Sequence, residues 1–359
     1  MGIVSNDLSM SMRKFTIGII LFITGAVLTA ILVIKIDFGQ VLSVVFSINP
    51  LGFLALLLLT FAGILATNLR GQIILRSQGV EFPFWRLFGV WLAGNAFSYI
   101  APHLAYLGGE GIKIYLLNQK FGISKNKTAS FIVIDKIVDL TSFLFMIVMG
   151  AAVFVYYIGP SDLTRSVIWS VSVIGVVFLI FALFYALVFQ NKKFISRVLK
   201  ALFLHKTRVG YFIQKTEDDI IDFFSMRSKF MWQSFASSML TQAAFLLRHI
   251  LLIYLLGRGI QFSASVMSLG AFYAGFMMPV PGALGVQEGI QSIIFSALGW
   301  GGEQGLALSL ILRTFDITVV SLGVLILLRQ GIGLMTSGAL YMINTSQNNG
   351  EKENNNKQI

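Results

Sequence analysis

The sequence predicts an all-α integral membrane protein with six full transmembrane helices and two broken re-entrant hairpins arranged as an inverted-topology repeat. Three observations carry this. Hydrophobic residues make up 56% of the chain and charged residues 12%, and several apolar runs reach about 20 residues, the length a helix needs to cross hydrocarbon. A short design occurs twice: GVEF (Gly79 to Phe82), APHLAYLGGEGI (Ala101 to Ile112) and Lys136-x-x-Asp139, then GIQF (Gly259 to Phe262), PVPGALGVQEGI (Pro279 to Ile290) and Arg313-x-x-Asp316. The offsets are 180 for Gly79 to Gly259, 178 for Glu110 to Glu288, and 177 for both Lys136 to Arg313 and Asp139 to Asp316, which argues for an internal duplication. Third, basic residues gather on alternate loops.

Taken in order, the first span is 15–34, behind Arg13 and Lys14; it is longer than a signal-peptide core and lacks a cleavage pattern, so it reads as a retained helix. The second is 51–69. Segment 84–118 is apolar but interrupted by Pro and Gly before Glu110. Each half is about 15 residues, about 22 Å as helix, too short to cross a core of roughly 30 Å. It therefore reads as a re-entrant hairpin, a single full crossing being the alternative. Full spans follow at 128–157 and 165–189. The loop 190–231 mixes Ile, Phe and Leu with Lys and Arg and predicts amphipathic helices on the inner leaflet, a solvated basic connector being the other reading. A span at 232–256, a second broken hairpin at 264–298 and a last span at 304–328 complete the domain, taken as 1–345. The polar stretch 346–359 reads as a disordered tail. Unit 1 is 51–157 and unit 2 is 232–328, with 165–189 linking them.

With the N-terminus inside, loops 70–83, 119–127 and 190–231 hold the basic residues, from Arg70 and Arg76 to Lys229, whereas 35–50, 158–164 and 257–263 hold only Lys35 and Arg258. This is the positive-inside pattern of a multi-pass plasma-membrane protein with both termini cytoplasmic. Three full crossings then separate equivalent points, which inverts the two units. The net charge of +11 is accounted for by topology and anionic lipid contact, not nucleic acid. With no cysteine and three scattered histidines, neither a metal site nor a cofactor is expected. Walker-type, HExxH and GxSxG motifs are absent from the sequence.

Ionisable groups inside hydrocarbon are costly unless paired or hydrated, which makes them functional candidates. Here they are Glu110, Lys113, Asp135, Lys136, Asp139, Arg248, Glu288, Arg313 and Asp316. Lys136 with Asp139, and Arg313 with Asp316, stand at i, i+3, and mutual neutralisation on one helix face is the simpler reading of both pairs. Glu110 and Glu288 each follow a Gly-rich break and begin a half-helix, where a carboxylate is favoured by the dipole and can cap free N–H groups. Capping explains one such Glu; two at equivalent positions in the membrane point to a shared site. Broken backbone at membrane depth must be buried in protein or line a wet cavity, and its half-helix N-termini suit a phosphate. The candidate site is Pro102, Gly109, Glu110, Lys113, Lys136, Asp139, Pro281, Gly282, Gly285, Glu288, Arg313 and Asp316. Lys113, Lys136 and Arg313 would draw a phosphate, and Glu110 and Glu288 an amine.

NAFSYIAPHLAYLGGEGIKIYLL (Asn95 to Leu117), IDKIVDL (Ile134 to Leu140), PVPGALGVQEG (Pro279 to Gly289) and LRTFD (Leu312 to Asp316) resemble the lysylphosphatidylglycerol synthase transmembrane-region family. That family includes the flippase-like domain of the multiple peptide resistance factor. The resemblance covers nearly the whole chain and implies movement of an aminoacylated or other polar-headed lipid between leaflets. The chain departs from the family pattern at His103 or Leu104 and at Lys113, where many members have Arg, at Asp135 in place of Glu, and at Pro281-Gly282-Ala283 in place of Pro-Gly-Gly. Lysine at 113 would weaken the bidentate phosphate recognition that Arg offers. Nothing after residue 330 matches the soluble aminoacyltransferase domain of two-part synthases, so lysyl transfer by this chain is not expected. The reading is a lipid translocator acting on an anionic or zwitterionic headgroup, with a homo-oligomer left open. An intramembrane transferase on lipid headgroups and an ion-coupled small-solute transporter are the alternatives.

Overall fold

In the computed structural model, residues 46, 48–100, 109–158, 165–190, 193, 196, 207–278, 280–327 and 329 are described. The expected span 15–34, the loop 35–45, the break at 101–108 with Pro102 and His103, and the tail all lie outside them. The described residues are helical, with no strand among them.

The first helix, α1, runs Pro50–Ser77. Asn49 caps it, its side-chain oxygen accepting from Gly52 N–H at 2.6 Å, and Pro50 takes the first helical position, where a missing N–H costs nothing. This corrects the expected end at residue 69. Arg70 and Arg76 continue the helix instead of opening a loop, because Arg70 is buried (1% exposed) against two acids and needs no water. Helix α2 (Phe84–Ile100) and the short α3 (Glu110–Tyr115), extended by a π-helical turn over Leu116–Lys120, form the described parts of the first broken segment. They lie antiparallel: Gly109 N–H donates to Ser98 Oγ at 2.6 Å, while Gly94, a turn earlier in α2, faces Lys113, a turn later in α3.

Helix α4 (Lys125–Ile158) and α5 (Arg165–Phe189) follow. Helix α6 (Arg208–Phe223), capped by Thr207 at Gly210 N–H (3.0 Å), is amphipathic. Its Ile220 and Phe223 are buried, and Asp219 accepts from Ser130 of α4 at 2.6 Å. Helix α7 (Lys229–Ile253) runs into a π-helical turn, Tyr254–Arg258. Then come α8 (Phe262–Phe276), a 3-10 turn over Pro281–Ala283, α9 (Val286–Ala297) and α10 (Gly302–Leu327). The break expected in 264–298 is present, and α8 and α9 are also antiparallel, Gly275 facing Gln287 and Ser268 bonded to Gln291.

Among the described residues four helices, Pro50–Ser77, Lys125–Tyr157, Lys229–Arg258 and Gly302–Leu327, are long and apolar enough to cross a membrane. In α5 the described apolar stretch is the shorter Ile174–Phe189. Large apolar side chains such as Leu58, Phe145, Leu179, Leu247 and Leu325 are exposed, a pattern that lipid tolerates and water penalises.

Antiparallel interfaces between described helices tie the halves of the chain. Along α1 and α7, Gly52 meets Leu255, Thr60 meets Arg248, and Thr67 meets Thr241. Within it, Arg70 Nη1 donates to Ser238 Oγ at 3.2 Å and Arg248 Nη1 to Thr60 Oγ1 at 3.3 Å. Adding 178 to Arg70 and Thr60 gives Arg248 and Ser238, so each contact is the other with the two halves exchanged. The second case involves backbone approach. A Cβ on Gly270 would stand 2.7 Å from the Met146 carbonyl oxygen, and one on Gly323 would run into the Leu92 carbonyl oxygen. Offsets of 177 (Met146 to Gly323) and 178 (Leu92 to Gly270) exchange these as well. Small residues are what allow helices to close on one another in lipid, where no hydrophobic drive separates protein from solvent.

Candidate functional site

A cavity of about 140 Å³ lies where the two halves meet. Charged groups from the first half line one side: Glu110, Lys113, Asp135, Lys136 and Asp139. Arg248 and Asp316 come from the second half, and Trp91, Tyr99, Phe143, Phe272, Tyr273 and Phe276 supply aromatic walls.

The first-half charges are paired. Glu110, the first residue of α3, accepts from Lys136 Nζ at 2.7 Å and from Lys113 Nζ at 3.4 Å. Arg70 Nε donates to Asp135 Oδ1 at 2.8 Å, and Arg70 Nη1 to Asp139 Oδ1 at 2.6 Å. Lys136 and Asp139 therefore each hold a partner on another helix. The simple i, i+3 reading missed those partners because cross-helix distances are not visible in spacing.

In the second half, Glu288 is fully buried at 0% exposure and does not line the cavity. Its Oε1 accepts from Arg313 Nε at 2.8 Å and from Nη2, and its Oε2 accepts from Gly285 N–H at 2.9 Å. This is the expected cap, now joined to an ion pair. Arg313 also donates to the Gly282 carbonyl at 3.1 Å and the Tyr99 hydroxyl at 3.2 Å. These bonds hold a turn in which Gly282 (φ 58), Ala283 (φ 49) and Gly285 (φ 76) all adopt left-handed backbone, cheap for Gly and strained for Ala. Arg313 spends its donors here, so the expected i, i+3 pair with Asp316 does not form; the farther Glu288 wins because it offers one oxygen to two guanidinium nitrogens.

Arg248 and Asp316 differ from all of these. Arg248 is 2% exposed, with its guanidinium over the rings of Phe245 (4.8 Å to centroid) and Phe272 (5.7 Å). Its one acceptor among the described residues is Thr60, and its buried Nε has none. Asp316 lines the cavity with no hydrogen-bond or ion-pair partner within 4 Å among the described residues.

Of the predicted site, the structure brings Glu110, Lys113, Lys136, Asp139 and Asp316 to one cavity. Gly109 supports it from behind, against Ser98. Gly282, Gly285, Glu288 and Arg313 build the adjoining turn with Pro281, and Pro102 lies outside the described residues. Arg70, Asp135 and Arg248 were not in the predicted set. The signal for Arg70 was available, since it is related to Arg248 by the same offset that relates Glu110 to Glu288.

A chain whose described residues are helical, with four membrane-length apolar helices and a charged cavity among them, is an integral membrane protein. The chain belongs to the family of the lysylphosphatidylglycerol synthase transmembrane region, whose model matches residues 15–323. It is also 26% identical over 170 residues to a UPF0104 membrane protein of Methanothermobacter thermautotrophicus (strain Delta H). That match covers 47% of this chain and 49% of the relative, so the chain spans about half the length of the curated relative it matches.

Proposed function

We propose that this protein moves a polar-headed lipid between the leaflets of the plasma membrane by alternating access, both termini being cytoplasmic. The lipid is an aminoacylated phospholipid, another phospholipid or a polyprenyl-phosphate lipid. The two units form an inverted-topology repeat in which the broken segments α2–α3 and α8–α9 are re-entrant hairpins entering from opposite faces. The reciprocal contacts Arg70 to Ser238 and Arg248 to Thr60 support this arrangement, because antiparallel packing of equivalent helices is what a two-fold axis in the membrane plane produces.

The observation that carries the functional reading is the cavity itself: charged groups and aromatic walls from both units meet in a protein whose exterior is apolar. Charges placed there cost several kcal/mol of desolvation, which a purely structural core avoids by using apolar residues. Rocking one unit against the other would present such a cavity to each leaflet in turn. Family membership fits a lipid-handling role.

The test is headgroup exchange in proteoliposomes, read with lipids fluorescent in the acyl chain and a reductant added outside. Wild-type protein is expected to expose inner-leaflet lipid, and Glu110→Gln, which weakens the hold on Lys113 and Lys136, to slow exchange about tenfold, the equivalent of about 1.4 kcal/mol. Absence of exchange by the wild type would sink the translocator reading. Analysis of the same lipids for new covalent products separates translocation from headgroup transfer.

A further inference from the structure

Counting Arg70, which two cavity acids hold, the described cavity brings four acids (Glu110, Asp135, Asp139, Asp316) against four bases (Arg70, Lys113, Lys136, Arg248). Its formal charge is therefore zero, and a site of that kind has no reason to prefer a net anion or a net cation. Six of the eight groups already form ion pairs with one another through Arg70 and Glu110. The remaining two, Arg248 and Asp316, line the same cavity but form no ion pair within 4 Å.

The geometry points to a binding site for a zwitterion, an ammonium and a phosphate on one small headgroup, with the phosphate on Arg248 and the ammonium on Asp316. This deepens the translocator reading and rests on it only for the source of the ligand in the bilayer. Arg248 is prepared for the phosphate. Phe245 and Phe272 hold the guanidinium by its face, which leaves its edge for an acceptor; Thr60 takes Nη1, and Nε is buried with no acceptor among the described residues. A guanidinium so placed has given up water without recovering a carboxylate, and an anionic oxygen restores what it lost. Asp316 lacks a donor in the same way, and the aromatic walls, including Trp91 and Phe276, suit an alkylammonium beside it. A simple anion would satisfy Arg248 and add charge beside Asp316. A zwitterion satisfies both groups and leaves the cavity neutral.

The source of this chemistry is either a lipid headgroup or a free phosphoamine, and two measurements separate them. Calorimetry on the full chain in detergent compares glycerophosphoethanolamine with glycerol 3-phosphate and with ethanolamine. Glycerophosphoethanolamine is expected to bind at least about tenfold more tightly than either half alone; equal affinity for glycerophosphoethanolamine and glycerol 3-phosphate, or no binding of any of the three, overturns the site. Asp316→Asn should bring glycerophosphoethanolamine down to the affinity of glycerol 3-phosphate while leaving the latter within about twofold, which also reports that the variant is folded. An equal loss for both ligands overturns the assignment of Asp316, and the wild-type comparison decides the site even if the variant does not fold. Proteoliposomes then give the source: phosphatidylethanolamine exchanging about tenfold faster than phosphatidylglycerol supports the headgroup. Uptake of radiolabelled glycerophosphoethanolamine without any lipid exchange keeps the zwitterion site and overturns lipid translocation.

Discussion

Arg70 and Arg248 occupy equivalent positions in the two units, at the offset that relates Glu110 to Glu288, yet one is locked and the other open. Arg70 is clamped by Asp135 and Asp139, with Ser238 as a third acceptor. Arg248 has Thr60 and two aromatic faces, and the equivalent of Asp139, Asp316, stands off from it. The cause is legible at two positions. By the same offsets that relate Lys136 to Arg313 and Glu110 to Glu288, the equivalent of Asp135 is Leu312 and that of Lys113 is Gln291. Leu312 is fully buried in the apolar core with Phe295 and Phe315, and Gln291 exchanges hydrogen bonds with Ser268 (2.9 and 2.8 Å). In the second half these two positions carry no charge and pack within the protein, and its arginine is left at the cavity. Positions related by one offset thus carry the same group, and small differences around them decide which is paired and which is available.

The largest effect should come from removing the two arginines in turn. Arg70→Met leaves two buried carboxylates without their counter-charge and should cost roughly 3–5 kcal/mol, seen as a large drop in thermal unfolding temperature in detergent. Arg248→Met, which breaks no ion pair, should cost at least about 2 kcal/mol less. Equal losses would erase the contrast between the units. Next, Asp135→Leu gives the first unit the residue that the second carries. It removes one charge-assisted hydrogen bond and should destabilise by about 1.5–3 kcal/mol in the same measurement, less than Arg70→Met because Asp139 remains. The smallest effect lies in the turn of the second unit. Ala283→Gly should stabilise the protein by about 1 kcal/mol by relieving left-handed backbone at a β-carbon. Destabilisation instead would show that the buried methyl contributes more to packing than its φ of 49° costs.

The glutamates tell a similar story. Both pair with the base of the following long helix, Glu110 with Lys136 and Glu288 with Arg313, so the positions that match in offset also match in partner. What spacing could not say is that Glu288 would be sealed under its own turn while Glu110 reaches the cavity. Lys113, present only in the first unit, and Tyr99, which leans from α2 onto Gly282 and Arg313 of the other unit, separate the two environments. Sequence reasoning also ended the first described span at residue 69, before Arg70, where an unpaired arginine in hydrocarbon would be expensive. The pairing that removes that cost lies 65 and 69 residues away, on another helix.

By itself, then, the sequence determined the helical class, the membrane and the break before Glu288, since these follow from local properties: run length, periodicity and the backbone freedom of glycine. Only the tertiary structure decided which charges neutralise each other. An ion pair depends on a few ångströms between helices distant in the chain, and those few ångströms separate the closed clamp on Arg70 from the open pair of Arg248 and Asp316.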